Sequence, residues 1–122
     1  MNKKILVVDD DPLFVELAKD IIEADGIEVV SAIHGADALE KLTRETVDLV
    51  ICDIEMPVMD GISFSLKLRE LNPTLPLVFV TGSTDEAILR RARALSAGNL
   101  IPKTNLVSKL ASLTGSLLLS HA

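Results

Sequence analysis

The fold of this chain is decided by residues 5–11, ILVVDDD, and by residues 47–53, VDLVICD. Each is a short apolar run that ends in aspartate, which is typical of a buried strand with an acidic residue at its carboxyl end. If the two runs are neighbouring parallel strands, their carboxylates lie together at the sheet edge where open α/β proteins bind ligands. A cluster of hard oxygen ligands there suits a magnesium ion and a phosphoryl group.

Apolar runs alternate with amphipathic segments along the whole chain. The pattern predicts strands near residues 4–9, 27–32, 47–53, 77–81 and 99–102, and helices near 12–24, 36–44, 62–71, 85–97 and 105–120. Strict alternation with apolar strands implies a parallel sheet covered by helices on both faces. We therefore predict an α/β fold of the flavodoxin-like (βα)5 type, whose five parallel strands have the order 2-1-3-4-5.

Length and composition limit the class of protein. The 122 residues, without linker or repeat, predict a single domain over residues 1–122. No apolar run approaches the roughly 18 residues that a membrane span needs, and the start lacks the apolar stretch of a signal peptide. The single cysteine, Cys52, excludes an internal disulfide and agrees with a reducing compartment. We expect a soluble, cytoplasmic protein with no membrane partner.

Two later residues extend the acidic cluster. Thr81 ends the apolar run at 77–81, and Lys103 follows the short run Leu100-Ile101, so a hydroxyl and an ammonium face the same edge. With these residues the chain resembles a response-regulator receiver domain, the family of the bacterial chemotaxis regulator. The resemblance spans essentially the whole chain, and its matches are VVDDD at 7–11, CDIEMPVMDG at 52–61, VTG at 80–82, and Lys103.

The resemblance implies a phosphorylatable switch of two-component signalling. In receiver domains the aspartate that matches Asp53 accepts a phosphoryl group from a histidine kinase or a histidine phosphotransfer protein. The resemblance also implies that Asp10 ligates Mg²⁺ directly, Asp9 through water, and Glu55 through its backbone carbonyl, with Asp53 completing the metal site. Charge alone argues for the cofactor, because neighbouring carboxylates repel until a divalent cation neutralises them.

Thr81 and Lys103 resemble the switch residues of the family. A hydroxyl and an ammonium that bind phosphoryl oxygens would give the phosphorylated state contacts that the free state lacks, and such differential contacts shift a population. A receiver catalyses its own phosphorylation and hydrolysis without an external substrate. We therefore expect a signalling domain and not an enzyme.

The chain departs from the family pattern around Lys103. Receiver domains usually have proline after this lysine, often through a cis peptide, whereas here Thr104 follows and Pro102 precedes. A non-proline cis bond costs about 2.5 to 4 kcal/mol, so a trans peptide is expected. This leaves the reach of Lys103 open. Leu100 stands where the family often has a rotating tyrosine or phenylalanine, so an aromatic switch is absent.

Charge is unevenly distributed along the chain. All 18 acidic residues lie at or before Glu86 together with 7 of the 12 basic ones, which leaves the last third basic. The remaining basic residues are Arg90, Arg91, Arg93, Lys103 and Lys109. This surface is either a solvated face or a docking face for an acidic output domain or protein. Direct nucleic-acid binding is not expected, because the chain has no Tyr or Trp for base stacking.

The carboxyl-terminal helix carries more apolar residues than one packing stripe needs. Leucines recur at helical spacing and predict a stripe packed on the sheet: Leu106, Leu110, Leu113 and Leu117. Val107, Leu118 and Leu119 widen this surface. The surplus would suit a homodimer interface or a junction to an output domain.

Two alternatives stay open at this point. The altered Lys103 loop and the missing aromatic residue favour a receiver-like binding module that is not phosphorylated. The sequence at 9–11 also fits the Asp-x-Asp start of haloacid-dehalogenase-type phosphatases, with Asp9 as nucleophile. Those enzymes need acidic metal ligands after the lysine, whereas no Asp or Glu follows Glu86.

Overall fold

A central sheet of five parallel strands organises the protein. The structure is a computed structural model that describes residues 3–96 and 99–119. The strands are β1 (Lys4–Val8), β2 (Glu28–Ala32), β3 (Leu49–Asp53), β4 (Leu77–Thr81) and β5 (Leu100–Pro102). All neighbouring pairs are parallel and the strand order is 2-1-3-4-5. The predicted flavodoxin-like (βα)5 topology is therefore confirmed.

Helices alternate with the strands as the sequence predicted. They are α1 (Pro12–Glu23), α2 (Gly35–Leu42), α3 (Gly61–Leu71), α4 (Glu86–Leu95) and α5 (Leu106–Leu119). A short 3₁₀ turn, Lys103–Asn105, joins β5 to α5. The bounds agree with the predicted ones to within two residues at every described end, which is the usual spread at element termini.

Aspartate side chains fix the first turns of three helices close to the sheet edge. Asp11, Asp60 and Asp85 each accept a hydrogen bond from a backbone N–H in the first turn of α1, α3 and α4. These bonds satisfy donors that a helix start leaves unpaired. Pro12 at the start of α1 suits the fixed backbone of that position. Each helix therefore begins directly after the loop that carries the site residues.

The core lies on both faces of the sheet. Side chains alternate along β1, so that Leu6 packs into one apolar cluster while Ile5 and Val7 pack into the other. Every residue of β3 and β4 is buried, and Cys52 is among them, as expected from the sequence. Apolar side chains and helices cover both faces of the sheet. The polar residues that follow the strands therefore lie at the carboxyl edge of the sheet, which the helices leave open.

Helix α5 packs on one face of the sheet through its middle. Leu110 is fully buried, and Leu113 packs against the same apolar cluster, which agrees with the predicted stripe. The side chains of Leu106, Val107 and residues 117–119 lie outside the described residues, so the wider apolar surface stays a prediction. Among the helices of the described part of the chain, none is both long and apolar enough to cross a membrane.

Candidate functional site

Three carboxylates meet at the carboxyl edge of the sheet. Asp9 and Asp10 follow β1, and Asp53 is the last residue of β3. The register pairs Val8 with Cys52, so the two strands end side by side. One carboxylate oxygen from each aspartate lies within 4.8 Å of the others. The structure thus brings together the three acids that the sequence predicted to meet.

Asp9 is the most deeply buried of the three. Its Oδ1 accepts a hydrogen bond from the backbone N–H of Asp11 at 2.9 Å, while Oδ2 is buried and makes no hydrogen bond to a described residue. Lys103 Nζ lies 2.9 Å from Oδ2 and forms an ion pair with it. Burial raises the pKa of Asp9, although the Asp11 N–H and the Lys103 ammonium oppose the shift. The buried oxygen therefore has spare capacity for a cation.

Asp53 is held in one orientation at the end of β3. Its Oδ1 accepts a hydrogen bond from the backbone N–H of Ile54 at 2.8 Å. Burial, followed by the negative charge of Asp9, raises the pKa of Asp53 to about 6, and the Lys103 ammonium opposes this shift. The side chain is consequently still ionised at neutral pH, yet its charge is poorly compensated and favours a cation nearby.

Lys103 follows the edge strand β5, and its side chain reaches the acidic cluster at the ends of β1 and β3. Its Nζ lies 2.9 Å from Asp9 Oδ2 and 3.6 Å from Asp53 Oδ2. Burial lowers the pKa of the ammonium, but pairing with the two carboxylates outweighs burial and the net shift is upward. No peptide bond in the described residues is cis. The reach of Lys103, which the sequence left open, is therefore achieved with a trans backbone.

Thr81 stands on the strand next to Asp53. The register pairs Asp53 with Val80, which sets Thr81 one position further along β4. The buried Thr81 accepts a hydrogen bond at Oγ1 from the Ser83 N–H at 2.9 Å. Its hydroxyl proton is still available for donation. Thr81 is thus the last residue of β4, and its hydroxyl is engaged with the backbone of the β4–α4 loop.

The β3–α3 loop holds the remaining predicted residue, Glu55, and the helix after the loop begins at a glycine with a structural role that the sequence did not predict. Glu55 is exposed two residues beyond Asp53, and its role as a carbonyl ligand stays a prediction. Gly61 donates its N–H to the Ile54 carbonyl at 2.7 Å, and a Cβ there would overlap the carbonyl oxygen of Asp53. The sequence singled out Gly61 only as part of the matched run at 52–61. A close approach of two backbones leaves no periodic signal that would have revealed its role.

The site residues fit a hard divalent cation. Three carboxylates face a single ammonium, so the cluster keeps a net negative charge. The donors are carboxylate oxygens, which suit Mg²⁺ better than a softer metal. The buried Asp9 Oδ2 without a hydrogen bond is the kind of atom that a metal or its water ligand satisfies.

Comparison with known proteins decides the family. The family model described as response regulator receiver domain matches residues 5–114. The chain belongs to this family. It is a receiver domain of two-component signalling, and receiver domains typically bind Mg²⁺ at an acidic cluster such as Asp9, Asp10 and Asp53. Membership supports the receiver interpretation over the phosphatase alternative with Asp9 as nucleophile.

Curated relatives agree with this assignment. The receiver domain is 38% identical to the alkaline phosphatase synthesis transcriptional regulatory protein PhoP of Bacillus subtilis, over 70% of this chain and 36% of that protein. It is also 38% identical to a protein-glutamate methylesterase/protein-glutamine glutaminase of Pseudoalteromonas translucida, over 84% of this chain and 27% of the relative. The chain spans between about a fifth and a half of the length of the curated relatives it matches.

Solved structures show the same fold. The receiver domain of the Francisella response regulator 1452 has a TM-score of 0.86 at 25% identity, covering 99% of this chain and 100% of its own. The receiver domain of a signal transduction histidine kinase from Syntrophus aciditrophicus has a TM-score of 0.86 at 30% identity, covering 97% and 91%. The receiver domain therefore shares its complete architecture with receivers that belong to different kinds of signalling protein.

Proposed function

We propose that Asp53 accepts a phosphoryl group from a phosphohistidine and that the resulting aspartyl phosphate switches the domain between two conformations. One observation carries the proposal: the ordered Asp53 carboxylate lies among two further acids and 3.6 Å from the Lys103 ammonium. In this place the Asp53 carboxylate is a positioned nucleophile. The Lys103 ammonium is an electrostatic partner for the incoming group, and the neighbouring acids are ligands for a metal.

The transfer exchanges one bond to phosphorus for another. The N–H of Ile54 holds Asp53 Oδ1, which leaves Oδ2 to attack the phosphorus atom. The bond between phosphorus and the donor imidazole breaks, and the imidazole nitrogen keeps the electron pair and takes up a proton. The Lys103 ammonium, already facing Oδ2, then pairs with a phosphoryl oxygen.

Asp9, Asp10, Asp53 and the carbonyl of Glu55 would hold Mg²⁺ in this site. The bound ion supplies charge neutralisation between the carboxylates and the phosphoryl oxygens. The chain supplies the rest, because the Asp11 N–H fixes the Asp9 carboxylate and the Ile54 N–H fixes that of Asp53. The ligands are thus orientated before the ion binds.

We propose that Thr81 couples phosphorylation of Asp53 to the conformation of the β4–α4 loop. In the structure its Oγ1 accepts from the Ser83 N–H. Donation of the hydroxyl proton to a phosphoryl oxygen would draw Thr81 toward Asp53 and alter the loop that leads into α4. Such contacts exist only after phosphorylation, so they favour one of two conformations.

The partners are proposed from the surfaces around the site and from the family. Exposed apolar side chains surround the acidic edge on three loops or helix starts, at Leu13, Ile33 and Val58. They suit a protein phosphodonor, a histidine kinase or a histidine phosphotransfer protein, that docks over the site. The exposed arginines of α4 suit an acidic output domain or protein, and we include a homodimer among the proposed assemblies. The phosphodonor is the one substrate that we propose. We also propose a cytoplasmic location.

The test is intact-mass analysis after incubation with acetyl phosphate, with and without magnesium. We expect a single phosphoryl adduct on the parent protein that requires magnesium and that is absent from Asp53→Asn. The adduct should be labile to base, as an acyl phosphate is. Asp48→Asn, which changes a carboxylate away from the site, is the matched control and should be phosphorylated like the parent.

Three other outcomes would contradict the proposal. Absence of an adduct on the folded parent protein would favour a receiver-like binding module that is not phosphorylated. An adduct that survives in Asp53→Asn but disappears in Asp9→Asn would move the nucleophile to Asp9. An adduct that forms equally well in excess chelator would remove the role assigned to the metal.

A further inference from the structure

The ring of Phe14 lies against the catalytic ammonium. Lys103 Nζ is 4.6 Å from the centroid of the Phe14 ring, within the range of a cation–π contact. Phe14 lies in the first turn of α1 and is 7% exposed. It belongs to the apolar cluster that contains Leu110 of α5, and the next residue, Val15, packs against the same cluster. The ring is therefore anchored in the core while one part of it meets the active site.

The backbone around Lys103 gives the side chain little support of its own. Lys103 lies in a single 3₁₀ turn after a strand of three residues, with Thr104 directly following. The side chain has four rotatable bonds and is 27% exposed. A flexible cation on such a loop needs contacts from other elements to keep one position. Within residues 3–96 and 99–119, Phe14 is the aromatic residue that contacts this cation.

A ring suits a cation that has to change partners. In the structure the ammonium pairs with Asp9 at 2.9 Å and lies 3.6 Å from Asp53. On phosphoryl transfer it must turn from these carboxylates toward a phosphoryl oxygen. A hydrogen bond would bind the ammonium in one direction, whereas attraction to the face of a ring depends weakly on how the N–H groups point. Phe14 can therefore hold the cation in place through the change.

We propose that Phe14 is a positioning residue for phosphorylation, which holds the Lys103 ammonium over the acidic site through its ring face. The proposal rests on the function proposed above, in which Lys103 pairs with the phosphoryl group. It extends that function to a residue outside the charged cluster. Phe14 is proposed to act through Lys103 and not by contact with the phosphodonor or the metal.

The first test compares rates of adduct formation with acetyl phosphate and magnesium. Phe14→Leu keeps an apolar side chain but removes the ring, and we expect its initial rate to fall about threefold to tenfold, the size of one partly desolvated cation–π contact. Phe14→Tyr keeps the ring and should restore most of the rate. Ile22→Val changes a fully buried residue of the same helix and apolar cluster, so it is the control for a general loss of stability.

A double-mutant comparison separates positioning from packing. If Phe14 acts through Lys103, then Phe14→Leu should slow the parent but cause no further loss in a Lys103→Met background. If the ring only fills space, the two substitutions should reduce the rate independently. Equal proportional losses in both backgrounds would overturn the proposal.

A spectroscopic measurement tests the contact without phosphorylation. The ring should shift the Lys103 Hε resonances upfield in a carbon–proton NMR spectrum, and this shift should vanish in Phe14→Leu and persist in Phe14→Tyr. Normal Hε positions in the parent would overturn the proposal. Lack of any adduct on the parent would overturn the proposed function and the role of Phe14 with it. Equal rates in the parent, Phe14→Leu and Ile22→Val would overturn the role of Phe14 alone.

Discussion

The Lys103 ammonium lies 2.9 Å from the buried Oδ2 atom of Asp9. The two residues follow the first and the last strand of the chain, and the sheet order separates those strands by β3 and β4. A long side chain therefore crosses the edge of the sheet to offset part of the repulsion among the carboxylates. This relationship links the stability of the domain to its chemistry.

Removal of that cation should destabilise the metal-free protein. Lys103→Met leaves Asp9 and Asp53 charged and buried without an opposite charge. We expect the free energy of unfolding at pH 7 to fall by about 1 to 3 kcal/mol, less than for a fully buried pair because Lys103 is partly exposed. Urea denaturation without magnesium measures the change. Lys109→Met, at an exposed lysine of α5, is the control, and an equal change in both variants would contradict the prediction.

Stability should depend on pH through Asp53. Its pKa is raised from 3.8 to about 6 in the folded protein, so folding favours the protonated form. The resulting stabilisation is present below about pH 4 and is lost as pH rises through about 6, by up to about 3 kcal/mol. Asp53→Asn lacks this loss and should be the more stable protein at pH 7 without magnesium.

Urea unfolding of the parent and Asp53→Asn between pH 4 and pH 7.5 checks this dependence. The difference between the two free energies of unfolding should be small near pH 4 and grow toward neutrality. Added magnesium should reduce the difference at pH 7, because it neutralises the ionised carboxylate. Parallel curves at all pH values would show that the Asp53 carboxyl is not shifted.

The Thr81 hydroxyl should matter for the response to phosphorylation more than for phosphate uptake. Thr81→Ala removes the hydroxyl oxygen that accepts a hydrogen bond from the Ser83 N–H. It also removes the hydroxyl proton that is proposed to be donated to a phosphoryl oxygen. We expect the phosphorylated-state conformation to lose about 1 kcal/mol, or about fivefold in population. Amide NMR shifts of the β4–α4 loop on phosphorylation measure this response. Thr81→Ser keeps the hydroxyl, and a normal response in Thr81→Ala would exclude the hydroxyl switch.

Gly61 should tolerate no side chain. A Cβ there would overlap the Asp53 carbonyl oxygen, so α3 or the end of β3 must move. We expect Gly61→Ala to destabilise the fold by about 2 kcal/mol or more and to slow phosphorylation by displacing Asp53. Gly115→Ala is the control: its Cβ would meet nothing within 4 Å, and alanine favours the helix. Thermal unfolding of the two variants should therefore change in opposite directions.

Val58 carries backbone strain beside the site. It has φ of 68°, a left-handed conformation that a β-branched residue rarely adopts, and its side chain is 82% exposed. Asparagine tolerates this conformation, so Val58→Asn should stabilise the protein by about 1 kcal/mol. Val58→Ala removes the branch but not the left-handed penalty and serves as the control. A loss of stability in Val58→Asn would show that the valine side chain contributes contacts of its own.

Much of the fold and the acidic site could be predicted from sequence. Strand and helix periodicity decided the element order, and the aspartates at 9–11 and 53 predicted the cluster because parallel neighbours end at one edge. Asp11 directly precedes Pro12 and caps α1. These features depend on local patterns and on one strand pairing, which explains why they are readable without coordinates.

The tertiary structure decided the contacts that join distant elements. The reach of Lys103, the ring of Phe14 against it and the need for glycine at position 61 depend on how β5, α1 and α3 pack around the sheet edge. No local periodicity encodes such contacts, because each is made by one side chain or one backbone atom across the fold. The sequence by itself determined which groups meet at the site, and the packing of the whole chain determined how they are held.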